Sequence, residues 1–166
     1  ITMVLPNDHL TGESPATGYP FQESYMADND LALARVVRFL SRTPYWKNML
    51  IIVTEDDPQG GRDHVDAHRS LLMLIGPYVK KGWVSSTLLD FGSIMKMIFT
   101  LLDLPSLNQF DATAAMPSDC FSDEPDFTPY TPKPVHARLF DPAKALKPFD
   151  RGFDWSRLLD SRAMDD

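Results

Sequence analysis

The sequence predicts an α/β domain with a largely parallel sheet flanked by helices, followed by a proline-rich carboxyl-terminal arm. Three short apolar runs, at residues 1–5, 49–54 and 71–75, are typical of buried strands. A helical apolar period lies between the first two runs, and another follows the third. A strand, a crossover helix and a second strand form a βαβ unit, whose two strands are parallel.

Composition narrows the class of protein. The chain has 166 residues, which suits one domain, and 43% of them are hydrophobic, which supports a core. A net charge of −7 argues against nucleic acid or an anionic membrane as a general partner. No run approaches the roughly 18 apolar residues that a membrane helix needs. The single cysteine, Cys120, excludes an internal disulfide and a multi-cysteine zinc site.

The first predicted strand, residues 1–5, ends at Pro6, and polar residues follow it at once. The chain opens in the middle of what reads as a strand. We therefore expect it to be part of a longer protein and the α/β domain to be incomplete. Residues 10–25 predict a long loop, and long loops within compact domains are usually functional or mobile.

The first predicted helix is capped by Asp28 or Asn29 and runs to about Thr43, before Pro44 ends it. Its apolar residues recur at spacings of three and four. Another face carries three arginines, Arg35, Arg38 and Arg42. We interpret it as a solvated face, with anion binding as the alternative.

A second predicted helix begins at a cap formed by Ser85 or Ser86 and ends before Pro105. Eight of the fourteen prolines then lie in the last 62 residues, which disfavours long regular elements. We predict that residues 1–106 are the carboxyl-terminal part of the α/β domain. Residues 107–166 would be an extended arm with a short terminal helix, packed on the same domain.

Residues 50–69 concentrate the chemistry. The apolar run 50–54 is followed by three acids, a Pro and a Gly-Gly break, and then by more acids and two histidines spaced four apart. Because the carboxyl ends of parallel strands open on one sheet edge, this cluster and the polar residues after strand 1–5 are predicted to form one site. The candidate ligands are Asp8, His9, Asp56, Asp57, His64 and His68.

A bound cation explains the clustering, since neighbouring carboxylates otherwise raise each other's pKa. Mixed Asp and His ligands suit zinc, manganese or iron better than calcium. His64 and His68 are four residues apart, so if this segment is helical they lie on one face and could hold one ion. The alternatives are a turn with a helix cap at residues 56–58 and a structural role for His9.

The same residues resemble the carboxyl-terminal half of alkaline phosphatase superfamily proteins. The closer likeness is to the phosphoesterase group that also holds bacterial phospholipases C and acid phosphatases. The likeness covers about residues 1–135. Its specific motifs are Leu5-Pro6-Asn7-Asp8-His9-Leu10-Thr11-Gly12, Ala27-Asp28-Asn29-Asp30, Glu55-Asp56-Asp57-Pro58-Gln59 and Asp63-His64-Val65-Asp66-Ala67-His68-Arg69.

The resemblance implies an alkaline-phosphatase-like sheet sandwiched by helices, one or two metal ions, and a Ser or Thr nucleophile that is transiently phosphorylated. It implies an exported bacterial protein, periplasmic or extracellular. It also implies that Asp56, with Asp57 beside it, binds a metal ion. His64 and His68 would complete the ligand shell or contact phosphate. Asp8 and His9 would lie at the second metal ion. Arg69 and Asn7 are the expected substrate contacts.

Two departures from the group's pattern matter. Asp8 and His9 are adjacent, whereas many superfamily members space this pair four apart. The group's nucleophile lies upstream of residue 1, and Thr11, Thr54 and Ser70 are poor substitutes because none sits at a strand-to-helix elbow. We therefore predict a zinc- or manganese-dependent phosphomonoesterase or phosphodiesterase whose isolated chain shows weak or no turnover.

Two other classes stay open. A non-catalytic surface or binding module could derive from the same fold. A zinc peptidase is suggested by residues 64–68, but their acid lies in the middle instead of next to the first histidine. The expected partners are a phosphate-ester small molecule or phospholipid and the upstream part of the same protein, with no nucleic acid and no membrane span.

Overall fold

The computed structural model describes Thr2, residues 22–55 and residues 70–134. The chain divides into two compact units, one made of Ile1–Thr43 with Pro129–Asp166 and the other of Pro44–Thr128. We describe each unit by itself. The predicted boundary at residue 106, between a domain and an arm, stays a prediction.

The described part of the first unit is built on helix α1, Gln22–Leu40. The predicted cap at Asp28 or Asn29 is wrong, because the helix begins six residues before Asp28 and buries that residue within it. Residues 22–27 contain no Gly or Pro, so nothing in the sequence forces a later start. Among the residues of α1 whose burial is described, 26–40, the buried apolar ones are Ala32 and Val37.

The second unit opens with a 3₁₀ turn, Pro44–Asn48, which buries Trp46. Strand β1, Ile51–Thr54, then pairs with strand β2, Leu72–Ile75. The pairing is antiparallel and places Ile51 opposite Ile75 and Thr54 opposite Leu72.

The mixed α/β class and the membership of both runs in one sheet are confirmed. The strands are half-buried instead of fully buried as predicted. The pair is antiparallel, and apolar runs alone do not encode strand direction. The predicted parallel pair involves residues 1–5, of which only Thr2 is described.

Helix α2, Phe91–Leu101, is capped by Asp90 and not by Ser85 or Ser86 as predicted. The Asp90 carboxylate accepts from the Ser93 backbone N–H at 2.8 Å, and the Ser93 hydroxyl accepts from the Asp90 backbone N–H at 3.2 Å. This reciprocal capping box satisfies two backbone donors that the helix itself leaves unpaired. Ile94 and Met97 carry the buried apolar side of the helix.

The region predicted as an arm contains a short helix, α3 (Gln109–Thr113), and a 3₁₀ turn, Ser118–Cys120. Lys96 on α2 joins α2 to the end of α3, since its Nζ donates to the carbonyls of Ala112 at 3.0 Å and Ala114 at 2.7 Å. Residues 122–134 contain no helix or strand. The predicted helix over residues 154–164 lies outside the described residues.

Candidate functional site

All of the predicted site residues lie outside the described part of the chain. They comprise the metal-ligand candidates and the two substrate contacts: Asn7, Asp8, His9, Asp56, Asp57, His64, His68 and Arg69. The structure neither brings them together nor separates them, so the predicted site stays a prediction. What the structure does describe is the frame on either side of residues 56–69.

That frame is the β1–β2 pair. Thr54, the last residue of β1, is paired with Leu72, the first residue of β2. Residues 55–71 are therefore the connection between two adjacent antiparallel strands, and both ends of this connection lie at the same end of the sheet. The Ser70 hydroxyl donates to the Glu55 carboxylate with an Oγ to Oε2 distance of 3.4 Å, which brings the two ends together beyond the last backbone pair.

The other end of the strand pair is closed by Gly76. A Cβ at this position would lie 2.6 Å from the carbonyl oxygen of Met49, which is far closer than any real Cβ contact. Only glycine therefore allows the chain leaving β2 to pass the backbone that enters β1.

Arg35 and Arg38 of α1 and Arg42, two residues beyond its end, are exposed, as expected for a solvated face. Arg42 nevertheless has a structural role, because its Nη1 donates to the carbonyls of Arg38 at 2.7 Å and Tyr130 at 2.8 Å. The Tyr130 backbone N–H in turn donates to the Ser41 hydroxyl at 2.9 Å. Arg42 thus joins the last turn of α1 to the strand-free segment at residues 129–134, within the first unit.

A groove that sequence reasoning missed lies beside this junction. Its volume is about 420 Å³, and its walls are one face of α1 and the segment that begins at Tyr130. The lining residues are Ala27, Asp30, Leu31, Ala34, Tyr130, Thr131, Lys133 and Pro134. No sequence signal could have found it, since the two walls are far apart in the chain.

A polar network around Asp119 was also missed. The Asp119 carboxylate accepts from the Trp83 indole N–H at 2.9 Å and from the Ser85 hydroxyl at 3.1 Å. The Lys80 ammonium donates to the Asp119 backbone carbonyl at 2.8 Å and lies 4.9 Å from the centre of the Trp83 ring. The hydrogen bonds from Trp83 and Ser85 hold the pKa of Asp119 below its ordinary value.

The surroundings of Cys120 favour the protonated form of its thiol. Burial, followed by the negative charge of the neighbouring Asp119, raises the pKa of the Cys120 thiol. A thiol with a raised pKa stays protonated at neutral pH, and the thiolate is the reactive form.

A second set of contacts joins residues 77–81 to residues 120–127. Val79 and Phe121 form an isolated antiparallel bridge, and Lys81 forms an ion pair with Asp126. The hydrogen bond from Lys81, followed by those from Thr128, holds the pKa of Asp126 well below its ordinary range. These contacts fix the turn after β2 against the chain that follows the Ser118–Cys120 turn.

Residues 22–55 and 70–134 contain no group of three His, Cys, Asp or Glu side chains that could hold a metal ion. The same residues contain no helix long and apolar enough to cross a membrane.

Comparison with known proteins places this frame in a family. The match supports a phosphoester hydrolase family. The model of the Phosphoesterase family matches residues 22–105, about half of the chain, and the chain belongs to that family. No curated protein and no solved structure matches the chain. The likeness to the phosphoesterase group seen in the motifs is thereby confirmed.

Proposed function

We propose that this chain supplies the metal-ligand segment of a metal-dependent hydrolase of phosphate esters, a phosphomonoesterase or phosphodiesterase. The observation that carries the proposal is the closure of the β1–β2 connection at one end of the sheet, inside the region that matches the Phosphoesterase family. Membership gives the class of reaction. Because the connection starts and ends at the same end of the sheet, the acids and histidines of residues 56–69 could contribute to one metal site.

Chain geometry supports this grouping. Asp56 is two residues beyond Thr54, so their Cα atoms are at most about 7 Å apart. Arg69 is three residues before Leu72, which keeps its Cα within about 11 Å of that strand end. Both ends of the ligand-rich segment are thus tethered near one point of the frame.

The donor set fits a transition metal. It contains carboxylates and imidazoles and no thiolates, a combination that suits zinc or manganese. We propose one or two ions, held by the paired acids and the two histidines of residues 56–69 together with Asp8 and His9. When bound, such an ion offsets negative charge on the phosphoryl oxygens and lowers the pKa of an attacking hydroxyl.

The chain's own residues would then bind and orient the substrate. Arg69 is proposed to donate to a non-bridging phosphoryl oxygen, since a guanidinium matches the geometry of phosphate. Asn7 is proposed as a second polar contact. The parallel part of the sheet, which would bring residues 7–9 to the same edge as residues 55–57, belongs to this proposal.

The nucleophile is proposed to lie upstream of residue 1. Among the described hydroxyls near the frame, that of Thr54 donates to the Glu55 backbone carbonyl at 3.3 Å, and Ser70 contacts the Glu55 carboxylate and precedes a strand. In the proposed reaction, attack by a Ser or Thr hydroxyl oxygen forms a phosphorus–oxygen bond and breaks the ester bond, and the alcohol leaves with the proton that the hydroxyl gives up. Water then hydrolyses the phospho-enzyme and releases phosphate or a phosphomonoester.

The test is a calorimetric titration of the chain with Zn²⁺ and Mn²⁺. We expect binding that Asp56→Ala weakens more than about 100-fold, because a direct ligand should matter more than the supporting residues whose loss costs about 10- to 100-fold. Asp123→Ala is the matched control, since Asp123 is an exposed acid of the same unit. Equal affinity in the Asp56→Ala variant would show that Asp56 is not a ligand.

Turnover separates the proposal from its alternatives. We expect little phosphodiesterase or phosphomonoesterase activity from this chain alone and activity from a form that includes the upstream nucleophile. A full rate from the chain alone would contradict the placement of the nucleophile. Metal binding without turnover in the longer form would favour a non-catalytic binding module.

A further inference from the structure

The groove beside α1 carries one negative and one positive side chain, and it lies within the first unit. Asp30 belongs to the α1 wall and Lys133 to the wall formed by residues 130–134, and both side chains are exposed. Within the part of the chain that the structure describes, neither side chain forms a hydrogen bond or an ion pair. A carboxylate and an ammonium group therefore line one groove of about 420 Å³ without being paired with each other.

The wall that carries Lys133 is held in place before any ligand binds. Three of residues 129–134 are prolines, and each proline fixes its own φ and restricts the residue before it to an extended conformation. The Tyr130 carbonyl accepts from Arg42 at 2.8 Å, and the Tyr130 backbone N–H donates to the Ser41 hydroxyl at 2.9 Å. Because this wall is already ordered, binding a small molecule costs it little conformational entropy.

Three residues make the α1 wall of the groove largely apolar. Ala27, Leu31 and Ala34 recur at spacings of four and three, so they lie on one face of the helix. All three are half-buried, and the two alanines leave room beside the helix because each carries only a methyl group. This surface suits the methylene groups of a ligand, since the burial of apolar atoms is favourable.

We propose that the groove binds a small zwitterion, a molecule with an ammonium group and a carboxylate at the two ends of a short aliphatic spacer. Asp30 accepts hydrogen bonds from the ammonium group, Lys133 donates to the carboxylate, and the α1 wall contacts the spacer. A volume of about 420 Å³ is within the range of about 300–1,000 Å³ that small-molecule sites occupy.

Charge balance favours a ligand of no net charge. The groove offers one carboxylate and one ammonium group, and a ligand with one of each complements both. A phosphate ester carries more negative charge than Lys133 alone offsets. The inference is therefore separate from the proposed hydrolase site, and none of the residues that line the groove is a proposed metal ligand.

The experiment is a titration of the 166-residue chain, freed of metal by dialysis against a chelator, followed by the NMR signals of its backbone amides. The zwitterionic probes are 4-aminobutanoate and 6-aminohexanoate, at neutral pH and constant ionic strength. We expect at least one to bind with a Kd on the order of 1–10 mM, because exposed charge pairs each contribute little. The shifted signals should be those of residues 27–34 and 130–134. Hexylamine and hexanoate carry one charge each and should bind at least about twofold more weakly.

Three variants test the residues that line the groove. Asp30→Asn and Lys133→Met each remove one charge and should raise Kd about two- to fivefold, as for the loss of one exposed ion pair. Ala34→Leu keeps every charge and fills the groove, and it should abolish binding. Asp123→Asn and Lys47→Met change exposed charged residues of the other unit and should leave Kd unchanged.

Three results would overturn the inference. Neither zwitterion shifts the signals of the groove, or hexylamine or hexanoate binds as tightly as the zwitterions, or Asp30→Asn and Lys133→Met bind them as tightly as the unchanged chain. The first result would show that the groove does not bind this class of molecule. The second would show that it does not recognise both charged ends, and the third would place binding elsewhere. None of them affects the metal titration, so the proposed function is tested independently.

Discussion

Gly76 shows how one missing side chain fixes the frame of the candidate site. Its backbone passes so close to Met49 that an added Cβ would overlap the Met49 carbonyl oxygen, at 2.6 Å. The obstacle is backbone and not the end of a flexible side chain, so it cannot rotate away. The β1–β2 pair must therefore shift to accommodate any other residue.

We predict that Gly76→Ala lowers the free energy of unfolding by about 1–3 kcal/mol, the usual cost of forcing extra atoms into a packed position. Urea denaturation followed by circular dichroism measures it. Gly82→Asn is the control, because a Cβ added at Gly82 would meet no atom within 4 Å. Gly82 has a positive φ of 67°, a backbone conformation that Asn tolerates. Equal stability of Gly76→Ala and the unchanged chain would mean that the strand ends move freely.

Two aspartates near the starts of predicted helices, Asp28 and Asp90, show the limit of reading single residues. An Asp before an apolar helical period is a common cap, and both Asp28 and Asp90 meet that description. Only Asp90 caps a helix, since Ser93 lies three residues on to complete the reciprocal pair. Asp28 is instead preceded by residues that are equally compatible with a helix, so α1 extends past it.

At the scale of elements, the apolar runs predicted where strands lie but not how they pair. The predicted runs 49–54 and 71–75 correspond to β1 and β2. β1 begins two residues later than its run, and β2 begins one residue later. Direction depends on how residues 55–71 return the chain, and the apolar pattern carries no information about that. The short helix α3 was missed because five residues are too few to show a period.

The end of helix α2 leads to a prediction at this scale. The Leu104 backbone N–H donates to the Phe99 carbonyl at 2.8 Å, and the Asp103 N–H donates to the Thr100 carbonyl at 3.3 Å. These two bonds define a Schellman motif, in which the residue after the cap adopts a left-handed conformation. Asp103 occupies that position with φ of 53°, although glycine is the residue that adopts it without steric cost.

We predict that Asp103→Gly raises the free energy of unfolding by up to about 1 kcal/mol, since it relieves the left-handed strain of a side chain. Thermal unfolding should show a higher Tm. Asp103→Asn separates strain from charge, because Asn removes the charge and keeps a side chain, and it should differ little from Asp103. A gain of the same size in Asp103→Asn would attribute the effect to charge.

For the whole molecule, sequence chemistry identified the family and a set of candidate ligands, but not their arrangement. The clustered acids and histidines could be identified as candidate ligands because a bound cation is the simplest reason for their clustering. The hydrogen bonds that order the second unit could not be predicted from the sequence. Trp83 and Ser85, which donate to Asp119, are more than thirty positions away from it in the chain. Such long-range hydrogen bonds leave no periodic signal.

Three carboxylates of the second unit make stability depend on pH. Burial alone would raise the pKa of Asp111, but hydrogen bonds from the backbone N–H groups of Asn108 and Leu107 outweigh it and lower that pKa. The pKa values of Asp119 and Asp126 are also lowered, by their hydrogen-bond donors. The folded state therefore binds fewer protons than the unfolded chain, in which an aspartate titrates at about 3.9.

It follows that these groups stabilise the fold fully above that unfolded value and lose their contribution as the pH falls through their lower folded values. We predict that the urea midpoint stays level between about pH 7 and 5 and then falls as the pH drops below about 4, the value at which an unfolded aspartate titrates. Asp119→Asn should be less stable than the unchanged chain at neutral pH, because it weakens the bonds to Trp83 and Ser85. The difference should shrink as the pH falls through the lowered pKa of Asp119, where its carboxylate becomes protonated.

Asp123→Asn is the matched control for this experiment, since Asp123 is an exposed aspartate close to Asp119 in sequence and lies outside the network around Trp83 and Ser85. It should follow the unchanged chain at every pH. A difference between Asp119→Asn and the unchanged chain that stays constant over the whole acid range would show that the effect comes from altered packing and not from the ionised carboxylate. A difference that closes on acidification would assign the stabilisation to the charge of Asp119, and so to the network that holds the turn after β2 in place.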